Sequence, residues 1–318
     1  MKRSILAAAL LVALTADARA SSSVGGPDPA ARHPFFVKPI RIVAHRGGVA
    51  LAPENTLEAF RAVVERWPDA VIESDVRLTS DAVPVLLHDP TVDRTTDGTG
   101  EVARLSLVAL QAYDAGYRFS PDGGRTFPSR GHGVRVPTLE ATLRALPGTR
   151  FEIELKEGTD AVPAVVGAVR NANATERVLL VSPRAEVLAR IRALAPAIAT
   201  NLDEASAHAL VTALRSGSRP AAPPAGQLLT ADPRQLADAG IGRADIAALA
   251  RVGVPVQAFT IDDAGEMRRL LDLGVTSLVT QPPRSRRRPR RRDTASRPRV
   301  AARGATSRLA RTPWSWAT

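Results

Sequence analysis

The chain has 318 residues, of which 44% are hydrophobic, and it contains no cysteine, so disulfides, thiolate nucleophiles and thiolate metal sites are excluded. Its formal net charge of +11 would suit a nucleic-acid-binding protein, but residues 284–318 contain twelve arginines and one acid, Asp293, while the other residues balance to zero. No aromatic-interleaved basic patch or DNA-reading motif accompanies this charge, so we expect no specific nucleic-acid partner.

The first twenty residues have the pattern of a secretory signal peptide. Lys2 and Arg3 precede an apolar run over residues 5–14, and Ala18-Arg19-Ala20 offers a small-residue cleavage site. The apolar run is too short to cross a bilayer, which requires about 20 apolar residues. We therefore expect a signal peptide over residues 1–20, no transmembrane segment, and a secreted or periplasmic protein, with residues 21–39 forming a leader.

Residues 40–283 alternate short β-branched runs with longer segments of helical periodicity. Eight candidate strands cover residues 41–45, 70–76, 83–89, 150–156, 178–182, 197–202, 255–261 and 276–281. Segments such as residues 56–67, 138–146, 185–194 and 264–274 repeat apolar residues at helical spacing. This alternation predicts an α/β fold, a single-domain TIM (β/α)8 barrel. An open doubly wound sheet is the alternative, but no G-x-G-x-x-G fingerprint follows a strand.

Three segments do not fit the repeat. Residues 90–136, rich in Gly, Asp, Arg and Pro, are typical of a long functional loop. Residues 215–227 are typical of a surface insertion. Residues 284–318 lack apolar periodicity and are interrupted by Pro289 and Pro298, which predicts a disordered Arg-rich tail that contacts anionic surfaces.

Polar side chains cluster where the first four predicted strands end, which is where barrel enzymes build their active sites. They are His45 in the first strand, Glu73 and Asp75 in the second, His88 in the third, and Glu154 and Lys156 in the fourth. Side chains two apart on a strand share a face, so Glu73 and Asp75 are expected to point the same way.

The chemistry of these groups points to a cation and an anionic substrate. Three converging carboxylates raise one another's pKa values unless a cation compensates them, and ligation by oxygen alone favours Mg²⁺ or Ca²⁺. Two imidazoles suit a reaction in which one proton is removed from a nucleophile and another is given to a leaving group. Arg46 and Lys156 supply positive charge for an anion such as phosphate.

Neighbouring polar residues have simpler interpretations. Glu54 is either a metal ligand or a residue that supports the ligands, and Asn55 with Glu58 has the N-x-x-E spacing of a helix cap. Glu152 shares the parity of Glu154 one step deeper, so we expect it to have a structural partner. The remaining histidines, which we expect at the surface, are His33, His132 and His208.

The motifs AHRG, PENTLEAF, IESDV, PVLLHDPTVDRTTDGTG, VPTLEATL, FEIELK and VQAFTIDD occur in that order between residues 41 and 283. Together they resemble the glycerophosphodiester phosphodiesterase family. The resemblance implies a TIM barrel that uses a divalent cation to hydrolyse glycerophosphodiesters to glycerol 3-phosphate and an alcohol. It implies catalytic roles for His45 and His88, phosphate binding by Arg46 and Lys156, and metal ligation by Glu73, Asp75 and Glu154.

Some positions depart from the family's pattern. Phe259 stands where tryptophan is usual, Ala82 where a turn glycine is usual, Gln281 where Asp or Asn is common, and Glu152 where Asn is frequent. These departures affect the expected shape of the pocket on the alcohol side and remove no catalytic group. Two alternatives stay open: a phospholipase D or sphingomyelinase-like barrel acting on lipid phosphodiesters, and a non-catalytic binding protein on the same barrel.

Overall fold

The computed structural model describes residues 33–218 and 226–281. The strands are β1 (Ile42–Ala44), β2 (Val71–Leu78), β3 (Pro84–Leu86), β4 (Phe151–Leu155), β5 (Val178–Val181), β6 (Ala199–Thr200), β7 (Leu229–Ala231), β8 (Val256–Ala258) and β9 (Ser277–Thr280). The helices are α1 (Leu57–Arg66), α2 (Leu107–Leu110), α3 (Leu139–Ala145), α4 (Val162–Asn171), α5 (Ala185–Leu194), α6 (Glu204–Arg215), α7 (Pro233–Asp238), α8 (Arg243–Arg251) and α9 (Ala264–Leu273). The predicted signal peptide and Arg-rich tail lie outside the described residues.

Eight of the strands form one curled sheet in the order β6-β5-β4-β2-β1-β9-β8-β7, and neighbouring strands in this order run parallel. Its two ends approach each other after β6, where Asn201 forms a parallel bridge with Leu228 and the Leu202 amide donates to the Leu228 carbonyl at 2.8 Å. Helices follow most strands, as crossover connections between parallel strands require. The predicted α/β class is confirmed, and the fold is TIM-barrel-like.

The third predicted strand, residues 83–89, is not a barrel strand. Within it only β3 is extended, and it pairs antiparallel with β2, with Leu86 opposite Val76. A turn that includes Ala82 at φ +58° joins the two strands. A connection this short permits only an antiparallel pair, because a parallel neighbour requires a crossover of a dozen or more residues.

The strand that completes the eight-stranded sheet is β7, which the sequence pattern did not reveal. It comes directly after the segment predicted to be a surface insertion, of which residues 219–225 lie outside the described residues. Its three residues pair with β8, with Leu229 opposite Val256. A strand of three residues is too short for its hydrophobic pattern to be distinguished from that of a loop.

Buried side chains lie on both faces of the curled sheet. Inside it, Val43, Val71, Leu179 and Val279 pack against Phe35, which is fully buried. Outside it, Ile72, Ile153 and Leu180 belong to the larger cluster shared with the helices. The edge-to-face rings of Phe60 and Phe151, 5.8 Å apart, belong to the same layer. This alternation turns every second residue of β2 and β4 toward the barrel axis.

The long segment after β3 carries a small core of its own. Its members are Val85, Leu87, Val92, Val102, Leu110, Ala115, Val134 and Val136. Burying these side chains fixes the loop that contains His88 against the barrel. Over the described residues, no helix has the length and apolar character needed to cross a membrane.

Candidate active site

Three carboxylates meet at one end of the barrel, as the strand parity predicts. Glu73, Asp75 and Glu154 each offer an oxygen, and these oxygens lie within 4.8 Å of one another. The register explains the convergence, because Asp75 on β2 lies opposite Glu154 on β4. Burial and the charge of Asp75 raise the pKa of Glu73 well above its usual value. An excess of negative charge in a buried site is what a cation would relieve.

Lys156 contacts two of these carboxylates. Its Nζ lies 3.0 Å from Asp75 Oδ1 and 2.8 Å from Glu154 Oε2. Burial by itself favours the neutral amine, but the charges of Asp75 and Glu154 raise the pKa of Lys156, so it remains an ammonium. This single positive charge offsets only part of the charge of the three acids.

The turn after β1 brings His45 and Arg46 to the same end. Arg46 has φ +48°, and its amide donates to Glu73 Oε2 at 2.7 Å. Gly47, at φ +73°, lies under the Phe60 ring, and a Cβ added there would be 2.2 Å from the ring. Only glycine fits this close approach in a left-handed conformation. The glycine therefore lets the turn fold back against α1.

Two buried nitrogens in this turn have no hydrogen-bond partner within the described residues: His45 Nδ1 and Arg46 Nε. Burial, followed by the charge of Arg46, lowers the pKa of His45. Arg46 Nε does lie 3.8 Å from Asp75 Oδ2, within ion-pair range, but neither nitrogen is hydrogen-bonded in the part of the chain that the structure describes. Buried polar atoms normally have a hydrogen-bond partner, so these two nitrogens beside a carboxylate group indicate a place for a ligand. The oxygen donors of Glu73, Asp75 and Glu154 fit a divalent cation, and the two nitrogens fit an anion or water beside it.

Asn55 belongs to the site and does not cap the following helix. Thr56 is the cap, and its side chain accepts from the Ala59 amide. Asn55 is buried at φ +55°, with Nδ2 3.1 Å from Asp75 Oδ2 and Oδ1 accepting from Ser74 Oγ at 2.7 Å. The expectation that Asn55 serves as a cap was wrong because the neighbouring threonine offers the same chemistry. An Asn tolerates the left-handed conformation that this position requires.

The other predicted residues lie around this centre. Glu54 contacts two guanidinium groups, with Oε1 3.0 Å from Arg46 Nη1 and 2.7 Å from Arg94 Nη2. His88 Nδ1 lies 2.7 Å from Asp89 Oδ1. Arg94 and Asp89 were not singled out from the sequence, although the HDPTVDR run that contains both directly follows β3. The structure thus connects His88 and Arg46 through charged side chains.

Glu152 has the structural partner predicted for it. Gln257 Nε2 lies 2.8 Å from both carboxylate oxygens, and Gln257 Oε1 accepts from Ser277. Burial raises the pKa of Glu152 to about 7, against the effect of the Gln257 hydrogen bond. Of the other histidines, His132 and His208 are exposed, while half-buried His33 bonds to the Phe35 amide and the Ala197 carbonyl.

The sequence profile of the glycerophosphoryl diester phosphodiesterase family matches residues 45–285. The chain belongs to this family. The match begins at His45 and includes every residue of the candidate site.

Individual members are also similar. A glycerophosphodiester phosphodiesterase of Caldanaerobacter subterraneus is 36% identical over 49% of this chain and 63% of its own length. The crystal structure of a glycerophosphodiester phosphodiesterase from Agrobacterium tumefaciens superposes with a TM-score of 0.61 at 28% identity, over 77% of this chain and 97% of that one. An Oleispira antarctica phosphodiesterase, solved in complex with the product sn-glycerol-3-phosphate, gives a TM-score of 0.59 at 25% identity, over 76% and 93%.

The chain spans between 34% and 63% of the length of several curated relatives that it matches. The family assignment therefore applies to residues 45–285, which the family profile matches.

Proposed function

We propose that this protein hydrolyses glycerophosphodiesters to sn-glycerol 3-phosphate and an alcohol, with a divalent cation at Glu73, Asp75 and Glu154. The observation that carries the proposal is the convergence of these three carboxylates beside two buried nitrogens that lack a hydrogen-bond partner within the described residues, in a chain of this family. The product complex of the Oleispira antarctica relative supports the same substrate class.

Oxygen ligands favour Mg²⁺ or Ca²⁺, and we propose one of these two as the resident ion. When bound, such an ion supplies Lewis-acid stabilisation of charge on the phosphate oxygens. Glu73 and Asp75 from β2 and Glu154 from β4 would hold it. The Lys156 ammonium, which contacts both Asp75 and Glu154, would limit the negative charge of the site.

The remaining residues bind the substrate and move protons. Arg46 and Lys156 would hold phosphate oxygens and spread the charge that develops in the transition state. Of His45 and His88, one would remove the proton from the attacking hydroxyl or water, and the other would protonate the leaving alcohol. Either assignment of the two histidines satisfies this chemistry.

We propose that the protein acts outside the cytoplasm, secreted or periplasmic, because residues 1–20 have the charge and apolar pattern of a signal peptide. The twelve arginines of the C-terminal segment would contact anionic surfaces in a salt-dependent way. We assign no specific nucleic-acid partner.

The test is release of glycerol 3-phosphate from glycerophosphocholine and glycerophosphoethanolamine, followed by ³¹P NMR, with lysophosphatidylcholine as the competing lipid substrate. The proposal expects turnover of the glycerophosphodiesters, and loss of turnover in H45A and H88A. H132A is the matched control, because His132 is exposed in the long loop after β3 and should behave as the wild type. Cleavage of the lysolipid alone would favour the lipid phosphodiesterase alternative, and binding without turnover would favour the non-catalytic one.

A further inference from the structure

Arg94 makes an unusual set of contacts for a residue whose side chain is 46% exposed. Its Nε lies 2.5 Å from Asp89 Oδ2. Its Nη1 and Nη2 lie 2.8 Å and 2.7 Å from the two oxygens of Glu54. One guanidinium therefore holds a carboxylate of the loop after β3 and a carboxylate of the loop before α1. The flat, forked shape of arginine allows this, whereas lysine offers a single point of charge.

Each of the two carboxylates holds a residue that the proposed function needs. Asp89 Oδ1 is 2.7 Å from His88 Nδ1, and Glu54 Oε1 is 3.0 Å from Arg46 Nη1. The hydrogen bond from Arg94 lowers the pKa of Asp89 to about 2, so Asp89 is an ionised acceptor and the His88 Nδ1–H donates to it. A neutral His88 then keeps its lone pair on Nε2.

We propose that Arg94 is a positioning residue that fixes the His88 imidazole through Asp89 and the Arg46 guanidinium through Glu54. The inference rests on the proposed function for its kinetic consequences. Its structural consequence, a fixed tautomer of His88, is independent of turnover. An isolated ion pair at a protein surface contributes little to stability, so the value of this arrangement lies in orienting the two groups.

Substitutions of Arg94 test the kinetic part. Displacing a reacting group by about 1 Å can lower the reaction rate about 100-fold, so R94Q should lower kcat/KM by about 10- to 100-fold. R94K should recover part of this loss, because one ammonium can contact Asp89 or Glu54 but not bond to both as the fork does. R104Q is the matched control: Arg104 lies in the same loop, forms one 2.9 Å ion pair with Glu101, and is 81% exposed. The kcat/KM of R104Q should stay within about twofold of the wild-type value.

The two arms of the contact can be separated. D89N weakens the contacts of Asp89 with His88 and Arg94 and should mainly lower kcat, whereas E54Q weakens the contacts of Glu54 with Arg46 and Arg94 and should mainly raise KM. R94Q should both lower kcat and raise KM. Adding D89N to R94Q should lower kcat by a smaller factor than D89N does in the wild type, because both changes break the contact between Arg94 and Asp89. The proposal would be overturned if D89N, E54Q and R94Q changed kcat and KM to the same extent, if the effects of D89N and R94Q simply added, and if all three variants lost the same thermal stability.

The tautomer of His88 gives a readout that needs no substrate. The chain has five histidines, so ¹⁵N-histidine NMR spectra are simple enough to assign His88 with H88Q. In the wild type and R104Q, His88 should be protonated at Nδ1, while R94Q should show exchange between tautomers. An unchanged His88 spectrum in R94Q would refute the inference, whatever the activity. If the wild type releases no glycerol 3-phosphate, the proposed function fails, and the NMR result still decides the role of Arg94.

Discussion

Asn55 offers a sharp test of how the site is held together. N55A removes the hydrogen bond to the Asp75 carboxylate, the hydrogen bond from Ser74, and a residue type that tolerates φ +55°. A buried hydrogen bond to a charged group contributes about 2 kcal/mol, a neutral one about 1 kcal/mol, and the left-handed conformation costs alanine about 1 kcal/mol. N55A should therefore lower the free energy of unfolding by about 4 kcal/mol.

Two further variants divide this total. N55G relieves the backbone and should lose about 1 kcal/mol less than N55A, while S74A removes only the neutral bond and should lose about 1 kcal/mol. The assay is urea denaturation followed by circular dichroism, with a chelator present so that bound cations do not contribute. A wild-type free energy of unfolding for N55G would refute the reasoning, because it would show that the two hydrogen bonds of Asn55 contribute nothing.

Other predictions concern the histidines, the C-terminal segment and the turn before β3. H45A and H88A should each lower turnover about 10²- to 10⁴-fold while elemental analysis finds unchanged metal content, and unchanged turnover would remove that residue from the mechanism. A chain ending at Pro283 should keep the turnover and melting temperature of the full chain but lose salt-sensitive binding to anionic vesicles; a large drop in either property would contradict this. A82G should raise the free energy of unfolding by about 0.5–1 kcal/mol, because Ala82 has φ +58°, and a loss of stability in urea denaturation would contradict the turn geometry.

Strand parity could be predicted from the sequence because it is a local property of the chain. The spacing of Glu73 and Asp75 places both on one face of any strand, and a parallel neighbour with Glu154 opposite Asp75 adds the third carboxylate. The four helical segments named from their periodicity are present for the same reason, since each contributes buried residues to one side of the helix.

The predicted strands were wrong where the way a strand pairs is set by the segment that connects it to its neighbour and not by its own sequence. Residues 83–89 are apolar enough for a barrel strand, but only a short turn around Ala82 separates them from β2, which forces an antiparallel pair. Strand β7 was missed for a different reason. Its three residues are too few to show a hydrophobic period, and they pair with β8 only in the folded structure.

The supporting contacts of the site could not be predicted because they join distant parts of the chain. Nothing local distinguishes Asn55 from a helix cap, and its role appears only when β2 brings Asp75 next to it. Arg94 likewise contacts Glu54 across 40 positions of sequence. Such pairs depend on tertiary structure, whereas residues at strand ends can be recognised one at a time.

The most direct test of the central claim is glycerol 3-phosphate release from glycerophosphocholine, measured before and after chelation and again after adding Mg²⁺ or Ca²⁺. The account predicts no release from the chelated wild type and recovery with one of these ions. E73A and D75A should bind the ion more weakly and recover only at higher ion concentration. Full activity in a sample shown by elemental analysis to be free of metal would contradict the account.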